Sequence, residues 1–205
     1  MKVKFLVTVA LLLGATAVFA APVTITFTAF QAPNQWQLGS PYVATVNGVP
    51  GVWVMCDDWE HGGLPGQSWL ANYTNLGTGN LSLLRFNQLP NALTLYQEVG
   101  WLLLETRVTP AGQTWTDINV AVWHILDSNA PLTAGGAYWL GQAQNEASLG
   151  FPGTNFSQVA VYTPLVQYDT NVDGPQELLT TVPEPGTLLL MAGGLAGLAS
   201  RLKRK

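Results

Sequence analysis

Two short apolar runs bracket a long segment in which the hydrophobic period changes several times. Residues 23–30, VTITFTAF, alternate with period two and are rich in β-branched and aromatic side chains, which predicts a strand. Residues 42–46 and 52–56 have the same character on either side of Asn47-Gly48-Val49-Pro50-Gly51, a connection expected to fold as a hairpin with a longer loop. Residues 58–79 are rich in Gly and Asn, with scattered Trp59, Trp69 and Tyr73, and predict a loop held by aromatic contacts. The period then becomes helical. Leu93, Tyr96, Gln97, Gly100, Leu103 and Leu104 share one face, Pro90-Asn91 offers a start, and Pro110 enforces a stop. A second helix is expected with Thr116 or Asp117 as its cap and Val120, Ala121, Trp123, His124 and Leu126 available for packing, ending near Asn129-Ala130-Pro131. Residues 133–148 predict a third, weakened by Gly135, Gly136 and Gly141. Strand character returns over residues 158–168 through Val159, Val161 and Tyr162, with Pro164 favouring an edge position. Residues 169–181 read as a polar linker, and no internal repeat is present. The expected fold is α+β: a single domain of early antiparallel strands, a helical middle of two to three helices, and a closing strand that pairs back with the early ones.

The bracketing runs carry targeting chemistry. Lys2 and Lys4 precede the apolar residues 5–19, and Val18-Phe19-Ala20 leads to a cut between Ala20 and Ala21. That pattern predicts a signal peptide and a signal peptidase as a partner. At the other end Pro183, Glu184 and Pro185 stand directly before the apolar residues 187–202, which are closed by Arg201, Lys203, Arg204 and Lys205. The prolines lack backbone N–H groups, so a helix cannot easily extend upstream of Thr187 and the triplet is expected to be extended and accessible. A membrane span normally needs about 20 apolar residues, so this one spans only with snorkelling of Arg201 and Lys203 or local thinning of the bilayer. The basic tail should stay cytoplasmic and place everything before it on the outer side of the inner membrane.

Triplet, apolar stretch and basic terminus together resemble the PEP-CTERM sorting signal. The resemblance implies export, transient anchoring facing the periplasm, cleavage near Pro183–Pro185 by an exosortase, and delivery to the cell surface or extracellular matrix. The expected organisation is thus 1–20 signal peptide, 21–168 folded domain, 169–181 linker and 182–205 sorting signal.

Removing the ends changes the charge balance. Six of the eight basic residues lie in the targeting segments, leaving Arg85 and Arg107 against eleven acidic residues, a net charge of −9. Nucleic acid and anionic membrane surfaces require a cationic face and are poor partners. Many Trp, Tyr, Asn, Gln and Thr residues suit an extracellular domain, and aromatic and amide side chains either fill a core or contact sugars such as an exopolysaccharide.

Cys56 is the lone cysteine. It is a buried inert thiol, one half of an intermolecular disulfide, or a nucleophile toward a neighbouring side-chain amide. The third option has a counterpart: Asn119-Val120-Ala121-Val122-Trp123 resembles the helix motif of bacterial surface thioester domains, which carry a glutamine where Asn119 stands. The resemblance implies an internal thioester between Cys56 and Asn119, able to capture a surface amine. Asn119 is one methylene shorter than glutamine and would have to sit closer to the thiol. No basic residue adjoins Cys56, and the nearby carboxylates should raise its pKa.

Asp57, Asp58, Glu60 and His61 suggest hard-cation ligands, but their spacing matches neither a calcium loop nor a zinc site, and solvated acids are expected. Asp169-Thr170-Asn171-Val172-Asp173-Gly174 lacks the distal Glu of a calcium loop and reads as a turn. No metal and no cofactor are expected. Catalysis finds little support: no nucleophile elbow accompanies His61 or His124, no phosphate-binding Gly loop is present, and sequence does not pair Asp57, Glu98, Glu105 or Asp117 across a cleft. A structural or adhesive role is expected, with a carbohydrate-active enzyme as the alternative from another class.

Overall fold

The computed structural model describes residues 22–30, 42–109, 113–166 and 174–182. The signal peptide with Ala20 and Ala21, the Pro183–Pro185 triplet, the apolar segment with its basic tail, and all but Gly174 of the second acidic string lie outside the described residues. Among the described residues no helix is long and apolar enough to cross a membrane.

Asn47 and Gly48 take φ values of 48° and 79°, the pair of left-handed conformations that a type I′ turn requires. The first hairpin therefore closes in two residues, joining β2 (Tyr42–Val46) to β3 (Val49–Cys56). The longer loop expected over residues 47–51 is corrected: Val49, Pro50 and Gly51 belong to the strand, beside a register shift between Ala44 and Val46. β1 (Val23–Phe30) pairs antiparallel with β2 and sets Phe27 opposite Ala44.

Two further strands come from segments that composition disguised. β4 (Ser68–Asn75) lies inside the expected loop at 58–79, where Trp69, Ala71 and Tyr73 alternate toward the barrel interior. β6 (Leu178–Thr181) lies inside the expected linker at 169–181, and Leu178 and Leu179 are fully buried. β6 pairs with both β3 and β5 (Val159–Pro164), so the folded domain reaches Thr181 rather than ending at 168. The order β1-β2-β3-β6-β5-β4 closes on itself with every pair antiparallel. A closed barrel has no edge strand, so Pro164 is not on one. It lies past the last β5–β6 pair, Tyr162 with Leu178, where its missing N–H breaks no bond to β6.

Three helices enter the chain between β4 and β5: α1 (Ala92–Glu105), α2 (Gln113–Leu126) and α3 (Ala134–Ser148). α1 starts after Asn91 in a left-handed conformation, φ 59°. α2 begins upstream of the expected caps, so Thr116 and Asp117 are helical residues. α3 is capped by Thr133, whose Oγ1 accepts from the Gly136 N–H at 2.9 Å. Two of the three glycines that weaken α3 as an isolated helix, Gly135 and Gly136, are what let it dock. A Cβ at Gly135 would lie 2.2–2.5 Å from the Asp117 carboxyl atoms, which approach the positive N-terminal end of α3.

The strand period divides the interior into two cores. Val54, Cys56, Tyr162 and Leu178 point into the barrel with Ile25, Phe27, Ala44 and Ala71. Their neighbours Met55, Val161 and Leu179 point outward and pack under Tyr96, Val99, Leu102, Ile118 and Val122 of the helices. Each such side chain contributes roughly 1.5–3 kcal/mol when fully buried. β5 is buried along its whole length because both faces are covered.

The single-turn helix Leu76–Thr78 runs hard against the start of β5. A Cβ on Gly77 would sit 2.8 Å from Cα and N of Ser157, both backbone atoms. Gly77→Ala is expected to lower the unfolding free energy by about 1–3 kcal/mol in urea titration; an unchanged midpoint would show that the Ser157 segment yields.

Candidate functional site

β3 and β6 pair through Cys56 and Leu178, and the residues just beyond that pair are polar and buried. Asp57 and Asp58 follow β3, and Glu177 precedes β6. Strand ends must point their next side chains somewhere, and here the helices cover that end of the barrel.

Glu177 is fully buried and accepts three hydrogen bonds. The Tyr96 hydroxyl donates to Oε1 at 2.5 Å, the Arg85 backbone N–H to Oε2 at 3.0 Å, and the Thr163 hydroxyl to Oε2. Neither oxygen of Asp57, buried as deeply, has a hydrogen bond of ordinary geometry. Burial first, then the charges of Glu177 and Asp58, push the Asp57 carboxyl well above the usual carboxylate range. Burial also raises Glu177, but its three donors pull it back. Two adjacent carboxylates in an apolar interior cannot both ionise cheaply, and the three donors on Glu177, with none on Asp57, favour a shared proton on Asp57. The same burial, with the Glu177 and Asp57 charges, pushes the Tyr96 hydroxyl far above its ordinary value.

Asp58 has a cation. Arg85 Nη1 lies 2.6 Å from its Oδ2, and His61 Nδ1 lies 3.1 Å from its Oδ1. Arg85 Nη2 also lies 2.7 Å from His61 Nδ1, so the three side chains form one cluster. Burial raises Asp58, and Arg85 and then His61 oppose that rise.

Cys56 and Asn119, 63 residues apart, are brought together. Asn119 Nδ2 donates to the Cys56 carbonyl at 2.7 Å. The thiol is engaged locally: Sγ donates to the Asp58 carbonyl at 3.1 Å and accepts from the Asp58 N–H at 3.3 Å. Burial, then the charges of Asp58 and Asp57, raise the thiol pKa well above its ordinary value. The Trp123 side chain lies close enough to favour the thiolate slightly, although its Nε1 makes no hydrogen bond of ordinary geometry. Asn119 Oδ1 is likewise buried and unbonded. Trp59 packs tilted against Trp123, with ring centroids 5.1 Å apart and planes at 56°, and forms the outer cover of this corner.

Of the acids at 57–61, Asp57 and Asp58 turn inward, whereas Glu60 is exposed and joins no cluster. The expectation of solvated acids is thus corrected for the first two. Their neighbours β6, α1 and α2 close over them. The carboxylates weighed for catalysis are scattered: Asp57 in the interior, Glu98 buried on α1, Glu105 at the end of α1, and Asp117 accepting from Thr133 Oγ1 at 3.2 Å. His124 Nδ1 bonds the Ala130 carbonyl at 2.9 Å, as a packed helix residue would. Sequence reasoning missed Glu177, Tyr96 and Thr163.

Residues 181–205 match the family model of the PEP-CTERM protein-sorting motif. No protein of established description matches the chain by sequence. Among solved structures the chain is similar to the N-terminal thioester domain of a surface protein from Clostridium perfringens, at 16% identity and a TM-score of 0.46, covering 79% of this chain and 99% of that one. It is also similar to the N-terminal domain of the Streptococcus pyogenes pilus tip adhesin Cpa, at 12% identity and a TM-score of 0.46, covering 82% of this chain and 96% of that one. The chain thus carries a sorting motif for export and cell-surface delivery by an exosortase.

Proposed function

We propose that this protein is a non-enzymatic component of the cell surface or extracellular matrix with a structural or adhesive role. It is exported, held transiently at the inner membrane, and released from that anchor by exosortase cleavage. The observation that carries the reading is the sorting motif at residues 181–205. Its position relative to the fold supports it: β6 ends at Thr181, and the Val182 N–H bonds the Gln158 carbonyl at 2.8 Å. A cut near Pro183–Pro185 removes no strand from the barrel.

A second reading is favoured by the contact between Asn119 and Cys56. In it the Cys56 sulfur attacks Asn119 Cγ, the C–N bond breaks, and ammonia leaves with the thiol proton. A surface amine then attacks the thioester carbonyl, forming an amide and restoring the thiol. Two features oppose it: the raised thiol pKa and the hydrogen bond that holds the Asn119 nitrogen on a backbone carbonyl.

Intact mass of the protein isolated from its host tests both. A chain from Ala21 to near Pro185 with a free thiol is the expected result. A chain reaching Lys205 would overturn exosortase processing, and a mass short by one ammonia would replace the passive reading with the thioester.

A further inference from the structure

On the side of the molecule where α1 ends, a cleft of about 530 Å³ opens between that helix and residues 152–158. Its volume falls within the range of roughly 300–1,000 Å³ typical of small-molecule sites. Trp101, Glu105 and Arg107 line one wall, and Thr154, Asn155 and Gln158 line the other. Arg107 Nη1 donates to Gln158 Oε1 at 2.5 Å, tying the walls together. Asn155 Oδ1 accepts from the Ser157 N–H at 3.1 Å and hydroxyl at 2.7 Å, which fixes the plane of its amide.

The far wall is preformed. Gly150, Phe151 and Gly153 take φ values of 75°, 55° and 75°, and a non-glycine residue holds such a conformation only where its surroundings impose it. Here they do: the Phe151 N–H bonds the Glu146 carbonyl at 2.9 Å, and its ring packs edge-on against Phe156 with centroids 5.3 Å apart. Binding at such a wall forgoes the cost of ordering a loop.

The lining chemistry selects the ligand class. Arg85 and Arg107 are the only Lys or Arg among the described residues, and Arg85 is paired with Asp58 inside. Arg107 is thus the one exposed cation there, and Glu105 balances it within the same cleft. An anionic ligand would meet Glu105 and the acidic domain behind it; a cationic one would meet Arg107. A peptide adding to a sheet needs an open edge, and this barrel has none. What remains is an uncharged molecule with an apolar face for the indole and hydroxyls that both donate and accept for the amides, guanidinium and carboxylate.

We propose that this cleft binds a neutral carbohydrate segment, with Trp101 as the stacking face and Glu105, Arg107, Asn155 and Gln158 as its hydrogen-bond partners. The assignment rests on the reading above that the protein is a component of the cell surface or extracellular matrix, and it names the class of ligand met there. Cleavage is not part of it: hydrolysis needs two carboxylates across the bond, and Glu105 is the single carboxylate of the lining.

Isothermal titration of the host-isolated protein with cellotetraose, maltotetraose and mannotetraose provides the test. At least one should bind. Arg107→Gln, an exposed change that leaves the core intact, and Trp101→Ala should each weaken it about tenfold or more, equivalent to about 1.4 kcal/mol. Tyr138→Ala, exposed and outside the cleft, should leave it unchanged. Binding by none of the three, binding that survives Arg107→Gln, or equal binding of tetraglutamate would each overturn the proposal. The intact mass of the same sample reports processing independently, so failure of the sugar assignment is separable from failure of the sorting reading.

Discussion

Arg85→Met lowers the unfolding free energy by about 3–5 kcal/mol, the cost of leaving a buried charge without its partner. Asp58 loses the guanidinium 2.6 Å from its carboxylate, and among the described residues its remaining ion-pair neighbour is His61. The Arg85 backbone N–H still serves Glu177, so the loss isolates the side-chain charge. Urea titration at neutral pH measures it. Adding Asp58→Asn to the variant should restore part of the loss, because the orphaned charge is then gone. A loss below about 1 kcal/mol would mean that the pair behaves as an exposed one.

The second large effect is a pH dependence set by Asp57 and Glu177. Both carboxyls are raised in the fold, Asp57 by burial and then the charges of Glu177 and Asp58, and Glu177 by burial that its donors oppose. The folded chain therefore keeps a proton that the unfolded chain releases near the ordinary carboxylate range of about 4. The folded state binds more protons, so stability must fall as pH rises from there toward the folded pKa. The contribution is fully present below the unfolded value and is lost above the folded one. Each unit of raised pKa corresponds to about 1.4 kcal/mol. Asp57→Asn retains a donor beside Glu177 and removes the titrating group, so its stability should decline less than the wild type between pH 5 and pH 9, and the variant should gain most at the alkaline end. Parallel stability curves for the two proteins would show that Asp57 does not hold the proton.

These effects depend on residues whose importance was unevenly written in the chain. The strands at 23–30 and 42–46 were legible because alternation survives wherever one face is buried. The helices were legible because apolar spacing and the flanking Pro90-Asn91, Pro110 and Asn129-Ala130-Pro131 are local signals. β4 was hidden because WLANYTN sits among glycines and asparagines, and only pairing with β1 and β5 on both sides makes it a strand. β6 was hidden because a four-residue strand carries too little pattern to outweigh the polar residues before it. Missing β6 meant missing Glu177, and without Glu177 the acids at 57 and 58 read as solvated.

The sequence by itself determined the address of the protein, because a sorting signal is read as a linear string of proline, acid, apolar and basic residues at a terminus. It also determined the mixed α+β class, because period two and period 3.6 are properties of consecutive residues. The pairing of Cys56 with Asn119 was legible only through a motif, whereas its geometry, an amide on a carbonyl rather than on sulfur, was not. Barrel closure, the inward turn of Asp57 and Asp58, the choice of Arg85 rather than Arg107 for the interior, and the cleft at the end of α1 were decided by tertiary structure alone. Each depends on groups 20 or more residues apart meeting in a low-dielectric interior or across a gap between elements, where burial and charge are set by neighbours that no local pattern names.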